Sequence, residues 1–466
     1  MPGPDAAPSP EAPKFGTSGL RGLVTGLTED LVARHVAGFV AACDAGRRVL
    51  IGEDLRPSSP AIARMAARAV AAAGARPVLM GALPTPALAL AARAGDAGAI
   101  MITGSHIPAD RNGLKFYTRG GAEITKSDEA AIVDAAMTDP LVLPPAPEPD
   151  PEAGQAARAA YAARYVAAFG PDALSGMRLG FYAHSSVARD LLAPLLRALG
   201  AEVTELDRSD TFVPVDTEAV SEETRARLAD WAGRGFDAIL STDGDADRPL
   251  LADASGAVVP GDVLGALTAR HLGAEAIVTP VTSNTMLERM GFARVSRTRI
   301  GSPFVIAGME DLSGSRVVGF EANGGFLLGF DADGLAALPT RDAVLPLLAP
   351  LVAARADGRT LSDLVAALPA RVTAADRLQD VDRPRAVAWI DALARDPATR
   401  AAFWDGDSVA LDLTDGVRMI HDRGDILHLR MSGNAAELRL YAEAAGRDDA
   451  DALLAGGLAR ARAALS

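Results

Sequence analysis

Two short polar loops contain the side chains of this sequence that are best suited to chemistry. In residues 103–108, Ser105 and His106 stand side by side directly after the apolar run 99–102. In residues 243–248, three carboxylates occupy alternate positions and a guanidinium follows: Asp243, Asp245, Asp247 and Arg248. A serine can carry a phosphoryl group, and Mg²⁺ binds a few carboxylates together with phosphate or water oxygens. The two loops together therefore predict phosphoryl transfer.

Each loop has an alternative interpretation that the sequence makes weaker. A calcium EF-hand also uses positions one, three and five, but it requires Gly at six and Glu at twelve, where this chain has Arg248 and Ala254. A serine hydrolase requires a Gly-x-Ser-x-Gly turn, which does not occur around Ser105. We expect the Ser105 and His106 side chains to diverge along an extended loop, which makes His106 a poor triad base. A phosphoserine fits because nearby cations and Mg²⁺ would balance its charge.

Basic residues in other Gly- and Ser-containing loops predict contacts with phosphate. Residues 15–22 form a Gly-rich turn that contains Thr17, Ser18 and Arg21, and Lys115 follows the serine loop. Guanidinium forks and the backbone N–H groups of such turns bind phosphate oxygens. A loop near the C-terminus has the same character and reads as a phosphate clamp, with Arg430, Ser432, Gly433 and Asn434.

The elements around the first loops repeat three times between residue 14 and about residue 368. Each repeat reads strand–helix–strand–helix–strand–loop–strand, with the apolar strands typical of mostly parallel sheets covered on both faces. This pattern predicts three related mixed α/β/α sheet domains. Ligands of such sheets bind beyond the carboxyl ends of the strands, which is where all three loops stand. In the third loop, Glu321 and Asn323 can bind vicinal sugar hydroxyls.

The remaining chain predicts a C-terminal α+β domain with an antiparallel sheet. Four strands with short turns are expected at 409–413, 417–420, 426–429 and 438–441, and helices near 384–396 and 448–464. A Pro- and Ala-rich start predicts a disordered tail. The expected units are the tail at 1–13 and domains at 14–153, 154–254, 255–368 and 369–466.

Composition excludes several classes of function. A formal net charge of -14 over 466 residues argues against a general nucleic-acid surface, although anionic substrates fit wherever basic side chains converge. Cys43 is the only cysteine, so no internal disulfide forms and a reducing cytosol is favoured. Neither a signal peptide nor an apolar stretch long enough to cross a bilayer is recognisable. We therefore expect a cytoplasmic protein with no membrane partner.

In order along the chain, these segments resemble the α-D-phosphohexomutases, the phosphomannomutase/phosphoglucomutase superfamily. The similarity runs from Lys14 through nearly the whole chain, and the loop 243–248 matches the family's metal loop as it stands. The other matches are to its opening substrate loop, phosphoserine loop, sugar-specificity loop and phosphate-binding loop, at 15–22, 103–115, 321–325 and 430–434. The combination is most similar to bacterial phosphomannomutases. The resemblance implies four domains around a central cleft.

The resemblance also implies a mechanism. Phosphorylated Ser105 would give its phosphoryl group to a hexose phosphate, and the bisphosphorylated sugar would turn over and return the other group. Lys115 and Arg21 would assist proton transfer, and His106 belongs to the catalytic loop. Mg²⁺ would be held by Ser105, Asp243, Asp245 and Asp247. The implied substrate contacts are Thr17, Ser18, Arg248, Glu321, Asn323, Arg430, Ser432, Gly433 and Asn434, with a hexose 1,6-bisphosphate as activator and intermediate.

The preferred sugar and the assembly stay open at this level. The expected reaction interconverts mannose 6-phosphate and mannose 1-phosphate for nucleotide-sugar synthesis. A phosphoglucomutase or dual-specificity enzyme is the alternative, and a phosphoglucosamine mutase is more remote. The sequence departs from the family at Ile107, where Asn is usual, and at Ser302, where His is frequent; the sugar loop has Asn323 in place of Ser, and the fourth loop has Asn434 and Ala435 in place of Thr and Glu. A phosphatase with an aspartyl nucleophile and a sugar-phosphate sensor without activity are alternatives of other classes. A monomer or a homodimer is expected.

Overall fold

The computed structural model describes residues 12–16, 18–136, 141–404, 409–432 and 436–465. Within them, four sheets carry the chain, three of them mixed and covered by helices and the last antiparallel. The fold class predicted from the sequence is therefore confirmed. The limits of the four predicted domains stay predictions, and the second sheet extends past the predicted end at 254, as far as Val259.

The first sheet has six strands and carries the serine loop near its centre. Its strands are β1 (Lys14–Phe15), β2 (Leu20–Leu23), β3 (Arg48–Glu53), β4 (Arg76–Ala82), β5 (Gly98–Ile102) and β6 (Arg111–Tyr117), and its helices are α1 (Glu29–Ala42), α2 (Ser59–Ala72), α3 (Thr85–Ala94) and α4 (Lys126–Ala135). The order is β1-β2-β6-β5-β3-β4. All five residues of β5 are buried, as expected for an apolar strand covered on both faces.

The second sheet presents the metal loop in the same relation to its strands. The elements are α5 (Pro151–Phe169), β7 (Arg178–His184), α6 (Leu192–Ala198), β8 (Glu202–Arg208), α7 (Glu222–Ala232), β9 (Ala238–Thr242), β10 (Pro249–Asp253) and β11 (Val258–Val259). The order is β11-β10-β9-β7-β8, in which β7 pairs in parallel with β8 and β9. The helices predicted near 187–199 and 218–234 correspond to α6 and α7. Both are shorter in the structure than predicted, and non-helical residues precede each of them.

The third sheet repeats the plan around the sugar loop. Its elements are α8 (Gly261–His271), β12 (Ala276–Pro280), β13 (Arg294–Thr298), α9 (Ser302–Glu310), β14 (Val317–Phe320), β15 (Phe326–Leu328), β16 (Leu338–Asp342), α10 (Val344–Ala356) and α11 (Leu361–Ala366). The order is β13-β12-β14-β15-β16. The segment predicted as a helix near 283–290 is a short 3₁₀ turn, Thr285–Arg289.

The fourth sheet is antiparallel throughout and has one strand more than the sequence predicts. Its elements are β17 (Val372–Leu378), α12 (Arg383–Arg395), α13 (Pro397–Phe403), β18 (Val409–Asp412), β19 (Val417–His421), β20 (Ile426–Met431), β21 (Leu438–Ala444) and α14 (Arg447–Leu465). The order is β17-β21-β20-β19-β18. The missed strand, β17, pairs with β21 along all seven residues.

The described residues form five hydrophobic clusters, and the largest of them joins the first three domains but does not include the fourth. One continuous cluster contains Leu88 of the first domain, Tyr161 of α5, Leu196 of the second domain and Leu348 of the third. The fourth domain has a separate cluster around Leu427. Because shared cores resist relative motion, the first three domains form a fixed frame. Among the described residues, no helix is long and apolar enough to cross a membrane.

Candidate active site

The serine loop begins where β5 ends, and its backbone is held in an unusual conformation. Ser105 has φ +55°, in the left-handed region that non-glycine residues seldom adopt. Its N–H donates to the Thr103 hydroxyl at 2.7 Å, and its own hydroxyl donates to Asp243 Oδ2 at 2.5 Å. The Ser105 side chain is fully buried. The loop therefore aims one hydroxyl directly at the carboxylate loop of the next domain.

The structure corrects the predicted divergence of the two neighbouring side chains. His106 Nδ1 lies 3.2 Å from Ser105 Oγ, because the left-handed turn at Ser105 brings successive side chains to one side. Arg248 Nη1 donates to the same nitrogen at 2.9 Å, and Asp216 Oδ2 lies 3.8 Å from Nε2. Burial and the Arg248 charge lower the pKa of His106 to about 3. His106 is therefore neutral at physiological pH.

The three aspartates converge into one oxygen-rich cluster. One carboxylate oxygen from each of Asp243, Asp245 and Asp247 lies within 4.8 Å of the others, and all three residues are fully buried. A left-handed residue between them, Ala246 with φ +58°, turns the loop so that alternate side chains face inward. The Oδ1 atoms of Asp245 and Asp247 are buried without a hydrogen-bond partner. All-oxygen donors with free lone pairs fit a small, hard divalent cation.

One buried lysine, Lys115, and two buried arginines, Arg248 and Arg341, offset the negative charge of the aspartates. Lys115 Nζ donates to Asp245 Oδ2 at 2.6 Å and to Asp247 Oδ2 at 2.5 Å. Burial raises the pKa of Asp245, but the Lys115 charge, hydrogen bonds from Lys115 and Thr85, and the Arg341 charge together lower it below the usual value. Burial and then the charges of Asp245 and Asp247 raise the pKa of Asp243 well above its usual value. The loop thus holds one carboxyl group that is far less acidic than its neighbours.

The opening loop brings Arg21 to the cleft between the domains. Arg21 is buried from solvent on most sides, and burial, then the charges of Arg248 and Arg341, lower its pKa to about 10. Within the described part of the chain, its Nε and Nη2 atoms are buried without a hydrogen-bond partner. Ser18 Oγ donates to Glu123 Oε2 at 3.3 Å, so its role as a substrate contact stays a prediction. Thr17 lies outside the described residues.

The sugar loop follows β14 and faces the same cleft. Glu321 Oε1 is buried without a hydrogen-bond partner, which leaves an acceptor for a ligand hydroxyl. Asn323 Oδ1 accepts from the Gly325 N–H at 3.0 Å, and the Asn323 carbonyl accepts from the Thr217 hydroxyl at 2.9 Å. Asn323 therefore shapes the turn as well as lining the cleft.

The phosphate loop of the fourth domain supplies cations that are only loosely paired. Arg430 Nη1 lies 3.9 Å from Asp415 Oδ2, and Arg430 Nε is buried without a partner. Arg418, which the sequence interpretation did not single out, is buried nearby and also faces the cleft. Ser432 lines the cleft too. The other two predicted residues of this clamp, Gly433 and Asn434, lie outside the described residues.

These loops meet at one cavity of about 1420 Å³ to which all four domains contribute. Its lining includes, among the predicted residues, Arg21, His106, Arg248, Glu321, Asn323, Arg430 and Ser432. The Ser105 hydroxyl and the carboxylates of the metal loop lie just behind His106, which is part of the cavity lining. The structure therefore brings the described members of the predicted site together, with cations from three domains facing a space large enough for a bisphosphorylated hexose.

Several residues that support the site were missed from the sequence. Arg56, after β3, donates to the backbone carbonyls of Ser105 and Ile107, and its Nε contacts Asp54 at 3.1 Å. Arg341, in β16, contacts Asp247 at 2.8 Å. The available signal was a charged residue within a buried strand for Arg341 and shortly after one for Arg56, since buried charges require partners.

Comparison with known proteins identifies the family. The α/β/α domains I, II and III of phosphoglucomutase/phosphomannomutase match residues 12–140, 159–256 and 260–372. A phosphomannomutase of Sinorhizobium fredii (strain NBRC 101917 / NGR234) is 45% identical over 96% of this chain and 98% of its own length. A phosphomannomutase of Salmonella muenchen is 45% identical over 94% of this chain and 93% of its own. A phosphoglucosamine mutase of Moorella thermoacetica (strain ATCC 39073 / JCM 9320) is 29% identical, over 95% and 97%.

A solved structure agrees with this assignment. The phosphoglucomutase/phosphomannomutase family protein from Burkholderia thailandensis superposes with a TM-score of 0.75 at 25% identity, covering 96% of both chains. The resemblance stated from the sequence is confirmed, and with it a phosphohexomutase enzyme whose buried aspartates could hold a metal ion. Matches along the full length, at this identity, show that the chain belongs to the phosphoglucomutase/phosphomannomutase family.

Proposed function

We propose that this chain is a phosphomannomutase, EC 5.4.2.8, which interconverts mannose 6-phosphate and mannose 1-phosphate in the cytoplasm. The observation that carries the proposal is the 2.5 Å contact between the buried Ser105 hydroxyl and Asp243 Oδ2. It places a hydroxyl that can carry a phosphoryl group against a cluster that could hold a divalent cation. The two relatives at 45% identity, both phosphomannomutases, support the choice of sugar.

The phosphoryl group moves between one serine and one sugar, and the bonds balance. A hydroxyl oxygen of the hexose phosphate attacks the phosphorus of phosphorylated Ser105. The bond from Ser105 Oγ to phosphorus breaks, and Oγ leaves as an alkoxide. This oxygen then takes up the proton that the attacking sugar hydroxyl releases. After the bisphosphorylated sugar turns over, the second half reaction runs the same exchange backwards through its other phosphoryl group.

Protons and charge are managed by groups that the fold has already placed. Lys115 stands between two carboxylates at 2.5–2.6 Å, close to the serine loop, so it is the candidate to relay the sugar proton. Arg21 keeps two buried donor atoms without partners and is the candidate to orient the attacking hydroxyl and neutralise its charge. Neutral His106, held by Arg248, orients the serine loop and excludes water.

Ser105 and the three aspartates are the residues that would hold Mg²⁺. When bound, Mg²⁺ supplies charge neutralisation at the transferring phosphoryl group. The remaining phosphate of the substrate would sit in the cation-rich wall of the fourth domain, at Arg430 and Ser432, while Glu321 and Asn323 receive the sugar hydroxyls. Because this wall belongs to a domain with its own core, it can release one phosphate and accept the other as the intermediate turns. A hexose 1,6-bisphosphate would restore phosphorylated Ser105 after loss of the intermediate.

Replacing the serine tests this proposal directly. Ser105→Ala should abolish mutase turnover and remove the phosphoryl group that mass spectrometry finds on wild-type protein after incubation with hexose 1,6-bisphosphate. Ser313→Ala, at an exposed position, is the matched control and should keep both. A phosphatase with an aspartyl nucleophile would survive Ser105→Ala, and a sensor would show no turnover in the wild type. Either result contradicts the proposal.

The sugar preference needs its own measurement. We expect kcat/KM for mannose 1-phosphate to exceed that for glucose 1-phosphate, and glucosamine 1-phosphate to be turned over least, since the phosphoglucosamine mutase relative is only 29% identical. A ratio near one between the first two sugars would establish a dual-specificity enzyme instead. Separating the protein by size and assaying each fraction for the same activity would distinguish a monomer from a homodimer.

A further inference from the structure

One buried guanidinium contacts loops from three domains. Arg341 is only 1% exposed. Its Nη2 atom lies 2.8 Å from Asp247 Oδ2 in the metal loop and 3.0 Å from Ser18 Oγ in the opening loop. Its Nε atom lies 3.1 Å from Glu123 Oε1 of the first domain, and Nη1 lies 3.9 Å from Glu321 Oε1 in the sugar loop. A planar, permanently charged fork suits such a multiple contact better than an ammonium would.

The aliphatic part of the same side chain supports the sugar loop. A Cβ atom placed on Gly325 would stand 2.8 Å from Arg341 Cδ and 3.0 Å from Cγ, closer than packed atoms approach. The backbone of the sugar loop therefore lies directly on the arginine stem. Charge at the tip and packing along the stem are separate contributions, so substitutions can remove them one at a time.

A carboxylate of the first domain, Glu123, also holds the guanidinium in place. Glu123 is 5% exposed, and its Oε2 atom accepts from the Ser302 hydroxyl at 2.8 Å and from the Ser18 hydroxyl at 3.3 Å. Ser302 thus orients Glu123, which in turn orients Arg341. This contact gives Ser302 a structural purpose at the start of α9, on the wall of the cleft.

We propose that Arg341 is a positioning residue that sets the charge of the metal loop and the resting position of the sugar loop; the proposal rests on the function proposed above. Asp247 shares its charge between Lys115 at 2.5 Å and Arg341 at 2.8 Å. Without Arg341, the three aspartates would face one cation fewer, so they would attract a divalent ion more strongly and hold Lys115 more tightly. The opening, metal and sugar loops would also lose the side chain that contacts all three, so their reacting groups would be held less exactly and kcat would fall.

Three substitutions separate charge from packing. Arg341→Met keeps most of the stem and removes the charge, so we expect kcat to fall by about 100-fold, KM to change less than about threefold, and Mg²⁺ to bind about fivefold more tightly by calorimetry. Arg341→Ala removes the stem too and should also raise KM by about tenfold, because the sugar loop loses its support. Arg341→Lys restores the charge but not the planar fork, so it should return Mg²⁺ binding towards the wild-type value and recover only part of the lost kcat.

The control is a substitution of Tyr161, a buried residue that hydrogen-bonds to Asp342, the residue after Arg341. Tyr161 donates to Asp342 Oδ1 at 2.5 Å, next to Arg341 on β16, and lies outside the cleft lining. Tyr161→Phe should lower Tm without changing kcat or Mg²⁺ binding. Weaker Mg²⁺ binding in Arg341→Met would overturn the proposal, because general damage to the structure lowers both Mg²⁺ affinity and kcat. A kcat of Arg341→Met equal to that of Tyr161→Phe would overturn it as well.

A second variant keeps the inference testable if Arg341→Met does not fold. Glu123→Gln leaves the contact between Arg341 and Asp247 but loosens the guanidinium on its other side, and we expect about a tenfold loss of kcat. An unchanged kcat would count against the proposal. A wild-type protein without mutase activity would refute the proposed function instead, and the Mg²⁺ titrations would still measure the charge that Arg341 contributes.

Discussion

The metal loop (residues 243–248) and the wall, meaning the side of the cleft formed by Arg430 and Ser432 of the fourth domain, both concentrate charged groups. The two regions differ in how closely those charges are already paired within the protein. In the metal loop, the fully buried Asp245 and Asp247 already have a cationic partner in Lys115 at 2.5–2.6 Å. In the wall, Arg430 lies 3.9 Å from the Asp415 carboxylate, and its buried Nε has no hydrogen-bond partner among the described residues. The carboxylates of the metal loop are therefore already fixed by a close cation while their Oδ1 atoms stay available for a metal ion, whereas the guanidinium of the wall has no close counter-charge.

This difference matches two separate tasks. A reaction centre gains from charges whose positions are fixed in advance, because no reorganisation is then required during the reaction. A clamp that must hold first one phosphate and then another gains from donors that exchange partners. The cores agree with this division, since the metal loop belongs to the three-domain frame and the wall to a domain with its own core. The difference predicts that substitutions in the metal loop act on kcat and those in the wall on KM.

The largest effect is expected in the metal loop, from Asp245→Asn. This carboxylate accepts from Lys115 and from the Thr85 hydroxyl at 2.6 Å, and its second oxygen is buried without a partner. Removing its charge should lower kcat by about 10³-fold and weaken Mg²⁺ binding measured by calorimetry, because electrostatic stabilisation is commonly the largest contribution to rate. KM for the sugar phosphate should change little.

An exposed aspartate of the same domain provides the control. The side chain of Asp210 is 96% exposed, and Asp210→Asn should leave kcat, KM and Mg²⁺ binding unchanged. If Asp245→Asn instead raised KM and spared kcat, the metal loop would behave like the wall, and the division between the two regions would fail.

A smaller effect, on a different constant, is expected in the wall. Arg430→Met should raise KM by between about 10-fold and 100-fold, because a guanidinium–phosphate contact contributes about 1.5–3 kcal/mol. Its effect on kcat should stay within a few-fold, since in the proposed mechanism Arg430 would bind the phosphate that is not being transferred. Steady-state kinetics with mannose 1-phosphate measures both constants. Arg423→Met, at a side chain that is 72% exposed, is the control, and a kcat loss as large as that of Asp245→Asn would contradict the comparison.

The sequence predicted the fold well where the pattern of apolar residues was strong. The strand β5, for example, is a continuous apolar run and is buried at every residue, as its composition requires. The strand β17 was missed because its residues are mostly small or charged, which is unfavourable for strands. Its position is determined instead by pairing with β21, a contact between distant parts of the chain that local composition does not encode.

The candidate site was predicted as a set of loops, and the contacts between the loops were not. Motifs identify Ser105 and the aspartates because their residue types and spacing are local properties. The inward turn of His106 depends on the left-handed backbone at Ser105, and the contact of Arg341 with Asp247 joins two domains. Such features follow from tertiary packing, so the predicted divergence of Ser105 and His106 was wrong and Arg341 was overlooked.

The smallest predicted effect concerns stability, and it compares one buried histidine from each region. His184, at the end of β7, has Nε2 at 2.9 Å from the Thr242 carbonyl, just before the metal loop, and His428 contacts the Asp415 carbonyl in the fourth domain. Burial lowers the pKa of each to about 4. An unfolded histidine has a pKa near 6.5, so below about pH 6.5 the unfolded chain takes up protons that the folded chain does not.

Stability should therefore be complete above about pH 6.5 and fall as the pH drops towards 4, with each histidine costing about 1 kcal/mol between pH 7 and pH 5.5. Calorimetry of wild type, His184→Gln and His428→Gln at these two pH values tests this, since the difference between wild type and variant cancels other titrating groups. Each variant should lose less Tm on acidification than wild type. Because the fourth domain has its own core, His428→Gln should flatten the pH dependence of that domain's transition and His184→Gln that of the three-domain frame. Equal effects of both variants on a single transition would show that the two regions unfold together, and the mechanical independence assigned to the wall would have to be abandoned.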